Sequence, residues 1–576
     1  MAMVDGGHVL IKTMLAFGVD TIFTLHGGHL DAAYFAAVKA GIKLVDTRHE
    51  QAAGLASMGW SRITGKVGVA MVTAGGGVTN IVTALANAYA DCVAMVVIGG
   101  APPLRDYDNL PVNSGYDQLS VVTGVTKWAH RVTHLERLPD LVGRAFQIAR
   151  SGRPGPVYLD LPSDVLFATI DESKLTYPFG GGVASAAAPA PAAVAETVRL
   201  LRNAERPVVM AGGGVIYSGA SGLLLQFAER SSIPILTNNK SRGSIPTDHP
   251  LWGRGFSAVA AAAAKGAGSP DVVLMLGARL GLYTGGARKS VIPASATLIQ
   301  VDIEPEEIGR IRDVQLGVVA DCREMLDALL AYEPDLKWPD RSAWTKALRQ
   351  DSVSRAFDPI PPANQPPSPA ILAAELASVL PANAIVVCDG GETPSWLDSF
   401  AASPGPNRWL GHGYLGVMGE GLPLAVGAQV ANPGAPVICF TGDGAVGFNL
   451  AEFDTMVRHN LPVVVIVNND AQWGMSAHGQ DLVYGQGNRI VSELRPTRYD
   501  IAAAGLGAHA ELVEDIRDLR PAIARAFASG LPACINVMTR PDSIAPVTRR
   551  FVGLAAEALI GPDGKARVPY ADILEV

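Results

Sequence analysis

Charge is scarce in this chain. Lys, Arg, Asp and Glu make up 17% of its 576 residues, and the formal net charge is −8 with no basic block or tail. No nucleic-acid partner is expected, because phosphate backbones are held by clustered Lys and Arg. Cysteine is rarer still, with five residues: Cys92, Cys322, Cys388, Cys439 and Cys534. Most lie in or beside apolar, strand-like runs and none has metal-ligand spacing. They read as reduced core thiols, not as a disulfide framework or a metal cage. Long hydrophobic runs are also missing. Stretches such as residues 93–99 are too short to span a bilayer, and the N-terminus lacks a basic region followed by an apolar run and a cleavage site. No membrane partner and a cytoplasmic location are the expectations.

What is present is length and alternation. A chain of 576 residues exceeds one hydrophobic core, and about 100–200 residues per domain gives three. Residues 180–193 (GGGVASAAAPAPAA) have no amphipathic period, and residues 357–368 (FDPIPPANQPPS) are proline-rich and extended. Both read as linkers. Each segment alternates short apolar strands with helical stretches. Strands are predicted at 67–72, 94–98, 207–211, 272–276, 384–388, 437–440 and 463–467, and helices at 79–90, 221–230 and 450–459. Apolar runs without alternation, joined by helices, indicate parallel sheets covered on both faces, with ligands at the carboxyl ends of the strands.

The strongest local signal lies at one such end. Strand 437–440 runs into Thr441-Gly442-Asp443-Gly444-Ala445, then Asn449 and a helix. Strand 463–467 runs into Asn468-Asn469-Asp470-Ala471-Gln472-Trp473-Gly474-Met475. Glycines let backbone approach phosphate oxygens, and a helix N-terminus adds free N–H groups. A carboxylate there needs a cation between itself and the phosphate. Mg²⁺ fits, since it takes oxygen ligands from one or two carboxylates plus phosphate.

These residues, with Arg48-His49-Glu50-Gln51-Ala52-Ala53, Thr73-Ala74-Gly75-Gly76-Gly77-Val78-Thr79-Asn80, 152–162 (GRPGPVYLDLP) and 413–427 (GYLGVMGEGLPLAVG), resemble the thiamine diphosphate enzyme family. The branch is that of acetolactate synthase and oxalyl-CoA decarboxylase, and the resemblance covers nearly the whole chain. It implies an α/β fold of three doubly wound parallel-sheet domains: pyrimidine-binding (1–180), central (194–356) and diphosphate-binding (369–542). A C-terminal tail, 543–576, would act as a lid. It further implies a homo-oligomer, a dimer of dimers, with each active site between two chains. The cofactors would be thiamine diphosphate and Mg²⁺. An ADP or other nucleotide in the central domain is a further expectation, with Gly212-Gly213-Gly214, Arg279 and Asp302 as its weak signs.

By the same resemblance Glu50 is the catalytic glutamate whose carboxyl group meets N1′ of the aminopyrimidine; from the residues alone it also reads as a helix N-terminal charge. Met418 props the bent cofactor, and Gly416 and Met418 offer backbone to the pyrimidine; by itself this methionine also reads as core filler. Thr73, Asn80, Gly391, Glu392, Thr393, Gly442, Asp443, Gly444, Ala445, Gln472, Gly474 and Met475 complete the cofactor set. The family's second metal ligand is usually an Asn 27 residues after the GDG aspartate, and here 443 + 27 = 470 is Asp470. Gly474, four residues on, confirms the register. The metal ligands are therefore expected to be Asp443, Asp470 and the backbone carbonyl of Gln472.

Three features bear on substrate. Leu25-His26-Gly27-Gly28-His29 places two histidines where many relatives have Pro-Gly-Gly, so His26 and His29 become candidates for proton handling. Residues 111–118 (PVNSGYDQ) carry neither the Phe-Gln-Glu of acetolactate synthases nor the Tyr-Glu of oxalyl-CoA decarboxylases. Arg549 and Arg550, with the earlier Asn407 and Arg408, are candidates for CoA phosphates, although each arginine alone also reads as a solvated charge. Glu493, flanked by Val491 and Leu494, is expected to be buried and to act as the base for a substrate hydroxyl. Together these resemble the 2-hydroxyacyl-CoA lyases, most closely the bacterial 2-hydroxyisobutyryl-CoA lyase type. The implied reaction is reversible cleavage of a short, branched 2-hydroxyacyl-CoA to formyl-CoA and a ketone or aldehyde, through a thiamine ylide. The alternative is an acetolactate synthase-like 2-oxoacid carboligase or decarboxylase.

Overall fold

The computed structural model describes residues 2–180, 186–281, 284, 291–350, 359–403, 405–411 and 413–559, with backbone alone for 553–559. The middle of the first linker, the start of the second and the tail after 559 lie outside the described residues.

The apolar runs become strands of three six-stranded, fully parallel sheets. The first orders Lys43–Asp46, Thr21–Leu25, Gly68–Val72, Met95–Ala101, Pro156–Pro162 and Trp128–Arg131, or 2-1-3-4-6-5 by position in the chain. The third orders Trp409–Gly411, Ile385–Asp389, Val437–Gly442, Val464–Asn469, Ala533–Met538 and His509–Val513, which is the same 2-1-3-4-6-5. The middle sheet differs: Trp252–Gly255, Ile235–Thr237, Val208–Ala211, Val272–Leu276, Thr297–Asp302 and Leu316–Val319, or 3-2-1-4-5-6. Its order reverses between Val208–Ala211 and Val272–Leu276, the place where doubly wound sheets open a ligand crevice.

Two predicted strands gain the first residues of the turns that follow them. Gly442 and Asn469 are hydrogen-bonded into the ladder, so the strand ends reach the glycine and carboxylate residues directly. The helix expected from 79 begins at Gly76, because Gly75 at φ 68° turns the chain sharply out of strand Gly68–Val72. Ser368 caps helix Pro369–Val379 by accepting from the Ile371 N–H, with proline at the first helical position, which ends the second linker.

The first and third domains share one apolar core that runs from Phe23 and Val72 to Val387 and Leu424. At its centre helix Glu50–Thr64 crosses helix Gly421–Ala431 with backbones nearly touching. A Cβ on Gly59 would stand 2.6 Å from the Leu424 carbonyl oxygen, and one on Gly427 would overlap the Ala56 carbonyl. Polar joints flank this crossing: Glu452 accepts the Arg48 N–H at 3.1 Å, and His459 meets Asp46 at 2.9 Å. The central domain docks through Lys240 on buried Asp91 and through Arg242, which pairs with Asp398 at 3.1 Å and lies over the Trp409 ring. Among the described residues no helix is long and apolar enough to cross a membrane.

Candidate functional site

The carboxyl ends of the first sheet gather one group of side chains. Glu50 is the first residue of helix Glu50–Thr64 and is only 7% exposed. Asn80, at the start of helix Gly76–Asp91, donates to its Oε2 at 2.9 Å. Thr73 follows strand Gly68–Val72, and His29 Nδ1 lies 3.0 Å from its hydroxyl. Gly27 packs so tightly on Thr73 that any side chain would collide with it. Half-burial lowers the pKa of His29, favouring the neutral ring. His26 departs from the expectation of a histidine pair. The short turn Gly28–Leu30 sends it outward, where it is exposed, bonded to Asp31 at 3.0 Å and stacked on Tyr34.

Beneath this group lies a residue that sequence reasoning passed over. Gln118 is buried, accepts the Gly75 N–H at 3.2 Å, and donates to the Gly100 carbonyl at 2.8 Å and to the Asp160 carboxylate. It fixes the glycine turn after Thr73. The stretch 111–118 was singled out for what it lacks, whereas its last residue is what the fold uses.

The carboxyl ends of the third sheet gather the second group. Asp443 accepts the N–H groups of Gly444 at 2.8 Å and Gln472 at 3.2 Å. The Gln472 side chain donates to Asp470 Oδ2 at 3.0 Å. Both carboxylates are thus buried around one residue. Burial, then the Asp470 charge, pushes the Asp443 carboxyl well up; burial and the Glu392 charge push Asp470 up. Two crowded buried carboxylates suit a divalent cation, which would remove the repulsion. Asn469 points elsewhere: its amide donates to the Thr497 carbonyl at 2.9 Å and to Asn536 at 3.0 Å inside the sheet. Among the described residues no three His, Cys, Asp or Glu side chains cluster as a metal cage.

The surrounding turns fit a phosphate group. A Cβ on Gly442 would meet the Thr393 hydroxyl at 3.1 Å, and Asn468 donates to that hydroxyl at 3.2 Å. Gly444 packs under the Trp473 ring, and Gly391 against Met475. The Glu392 side chain does not face this cradle. It accepts from the Ala545 N–H at 3.2 Å and the Thr548 hydroxyl, and meets His478 at 2.9 Å. The loop carrying Gly416, at φ 66°, and Met418 is held at its far end. Asp389 accepts the Gly419 and Gly421 N–H groups at 3.2 and 2.8 Å, and Asn449 donates to the Gly419 carbonyl at 2.6 Å. Met418 itself is 37% exposed, beside exposed Tyr414 and Leu415.

Within one chain these two groups are apart. Glu420 accepts from Asn87 at 2.6 Å and Gly413 packs on Asp91, so the Met418 loop lies at the far end of helix Gly76–Asp91 from Asn80 and Glu50. Asn80 and Asn87 are separated by about 10 Å along that helix.

Two expectations about substrate groups change. Glu493 is exposed, not buried, and Val491 beside it is 93% exposed. Backbone pairing places it there: residues 492–494 lie antiparallel to 471–473, with Trp473 N–H on the Ser492 carbonyl at 2.8 Å and Leu494 N–H on Ala471 at 2.7 Å. Glu493 therefore stands directly opposite Gln472. Asp481 lies in helix Gly474–Tyr484 and takes Arg489 at 2.6 Å. Asn407 and Arg408 precede strand Trp409–Gly411 at the amino ends of the sheet, where Arg408 donates to the Asn383 carbonyl at 2.7 Å. Arg549 and Arg550 are exposed in helix Pro546–Leu559, which packs on helix Gly474–Tyr484 beside the carboxyl ends. One chain does not bring the two pairs together.

A cavity of about 1080 Å³ opens between the first and central domains. Gly213, Gly214, Arg279 and Asp302 line it, together with Arg153 and Tyr414. It lies at the strand-order reversal of the central sheet.

Two domains of one topology each gather polar and glycine-rich turns at the carboxyl ends of their strands, the class of doubly wound fold that binds ligands there. Domain models of the thiamine pyrophosphate enzymes match this chain in order: the N-terminal TPP binding domain at residues 4–122, the central domain at 194–329 and the C-terminal TPP binding domain at 389–537. The chain belongs to the thiamine pyrophosphate enzyme family and is a thiamine diphosphate-dependent enzyme of carbon–carbon bond chemistry. A probable acetolactate synthase of Mycobacterium bovis is 36% identical over 547 residues, 94% of this chain and 96% of its own. A probable acetolactate synthase large subunit of Methanocaldococcus jannaschii is 33% identical, covering 94% of this chain and 93% of its own. The oxalyl-CoA decarboxylase of Escherichia coli K12 is 31% identical, covering 94% and 96%.

Proposed function

We propose that this enzyme cleaves a short, branched 2-hydroxyacyl-CoA, such as 2-hydroxyisobutyryl-CoA, to formyl-CoA and a ketone or aldehyde, reversibly. What supports the reading is the position of two groups able to take a proton at the two half-sites: His29, half-buried on Thr73, and Glu493, exposed and opposite Gln472. Breaking the bond between a thioester carbonyl and a hydroxyl-bearing carbon requires a base for that hydroxyl. Decarboxylation of a 2-oxoacid requires none at that step. The oxalyl-CoA decarboxylase among the relatives supports a thioester substrate.

Bound thiamine diphosphate supplies the electron sink for the carbanion left at the carbonyl carbon. The chain's own residues do the rest. Glu50 holds a proton at the aminopyrimidine N1′, and the Asn80 amide orients it. Asp443, Asp470 and the Gln472 carbonyl would hold Mg²⁺, and Thr393 with the Gly391 and Gly442–Ala445 backbones would hold the diphosphate. Met418 would support the cofactor from its loop. Arg549 and Arg550 attract the CoA phosphates. The site forms between two chains, because Glu50 and the Met418 loop need a second copy to meet. An ADP or other nucleotide would take the 1080 Å³ cavity, which Gly213, Gly214, Arg279 and Asp302 line.

Acetolactate synthase-like carboligation is the second reading, and the names of the relatives favour it, since most are acetolactate synthases. One experiment separates the two. The protein is incubated with thiamine diphosphate, Mg²⁺ and a panel of 2-hydroxyacyl-CoAs and 2-oxoacids, and products are read by mass spectrometry. Formyl-CoA with a ketone or aldehyde supports the first reading. Turnover of pyruvate without any thioester selects the second.

A further inference from the structure

The Glu392 side chain has no place in the phosphate cradle, yet it is buried, and its partners belong to the C-terminal segment. It accepts from the Ala545 N–H and the Thr548 hydroxyl, both buried at the start of helix Pro546–Leu559. Its other oxygen meets His478 Nδ1 at 2.9 Å, while His478 Nε2 meets the Pro541 carbonyl at 2.8 Å. His478 Nε2 also lies 3.2 Å from the Gln472 amide nitrogen, so the ring bridges Glu392, Pro541 and Gln472. The Gln472 amide closes the circuit: its two hydrogens go to Asp470 at 3.0 Å and to the same Pro541 carbonyl at 2.9 Å. One residue thus ties a carboxylate of the candidate cation turn to the segment that leads into the last helix. Arg489 pins the amide oxygen at 2.8 Å and fixes which way the amide faces.

We propose that Glu392, His478 and the Gln472 side chain form a latch through which loading of the cation turn docks the C-terminal helix. The three are positioning residues and touch neither substrate nor cofactor through these contacts. A cation between Asp443 and Asp470 sets the Asp470 carboxylate. That carboxylate sets the Gln472 amide, and the amide, with His478, holds Pro541. Glu392 then takes Ala545 and Thr548. Gly479 on helix Gly474–Tyr484 leaves room for Val552 to settle, 3.9 Å from where a Cβ would be. Coupling of this kind is reciprocal: whatever the loaded turn does for the helix, the docked helix does for the affinity of the turn.

The inference rests on Asp443 and Asp470 being the cation turn, and the test separates the two ideas. Hydrogen exchange of the amides in 541–552 is followed by mass spectrometry in the full chain, alone, with Mg²⁺, and with Mg²⁺ plus thiamine diphosphate. Cofactor binding is measured in parallel by calorimetry. Loading is expected to slow that exchange by about fivefold or more, the low end of ordinary coupling. Thr548→Val should erase most of the difference and weaken cofactor affinity by a similar factor. Glu392→Gln should keep more of the protection than Glu392→Ala. Cofactor binding with no change of exchange in the unsubstituted protein overturns the latch, as does a Thr548→Val protein whose protection and affinity are both unchanged. Failure of Mg²⁺ and thiamine diphosphate to bind at all would instead overturn the reading of the turn, and the latch with it.

Discussion

Glu50 owes its position to its neighbours, the Asn80 amide above all. Its carboxylate is buried, bonded by one amide, and set at the first turn of a helix. Glu50→Gln should still bind cofactor but lose most turnover, and exchange of the cofactor C2 proton followed by NMR should slow in step. Exchange at the unsubstituted rate would remove Glu50 from that role. Asp470→Ala should weaken Mg²⁺ binding far more than Asn469→Ala, as titrations would show. Asn469→Ala should instead lower Tm, because its amide is spent on Thr497 and Asn536. Glu493→Gln should fold and bind cofactor yet cleave a 2-hydroxyacyl-CoA about 100-fold more slowly, the low end for a lost acid–base group. Near-normal cleavage would pass the role to His29. At this scale the sequence was legible where two turns follow neighbouring strands, which brings Asp443 and Asp470 together around Gln472. It was not legible where a partner distant in the chain decides. Nothing near Glu493 announces that its strand pairs with Gln472, and nothing near His26 announces the turn that points it away.

Among the elements, the crossing of helices Glu50–Thr64 and Gly421–Ala431 sets where both half-sites begin, since each helix starts at a site loop. Gly427 has no room for a methyl group against the Ala56 carbonyl, whereas Gly434 faces open space. Gly427→Ala is expected to cost about 1–3 kcal/mol, the usual penalty for overpacking. Gly434→Ala should stay within about 0.5 kcal/mol. Thermal unfolding of the two variants checks the contrast. Strands and helices were read from apolar runs with errors of only a few residues, because burial on both faces leaves an unbroken hydrophobic signal. The strand ends were read short at Gly442 and Asn469, since Gly and Asn are turn-favouring residue types even where their backbone completes a ladder.

For the whole molecule, the separation of Glu50 from the Met418 loop is what supports the proposed site between two chains. Mixed preparations of Glu50→Gln and Asp443→Ala chains, co-refolded, should recover activity that neither has alone, because one mixed pair contains one intact site. Persistent inactivity of proven mixed oligomers would place the whole site within one chain. The three-domain plan was legible from two linkers and the strand alternation; the strand orders were not, since order depends on which edges meet, and no local pattern encodes that. Those orders carry a further consequence. The first and third sheets share 2-1-3-4-6-5, so their loops correspond one to one. The loop after the first strand bears His29 in one domain and Thr393 in the other, and the loop after the third bears Thr73 and Asp443. In each domain these two loops touch, His29 on Thr73 and Thr393 beside Gly442. Equivalent loops of one topology thus carry different chemistry, an imidazole and a hydroxyl in the first domain, a hydroxyl and a carboxylate in the third.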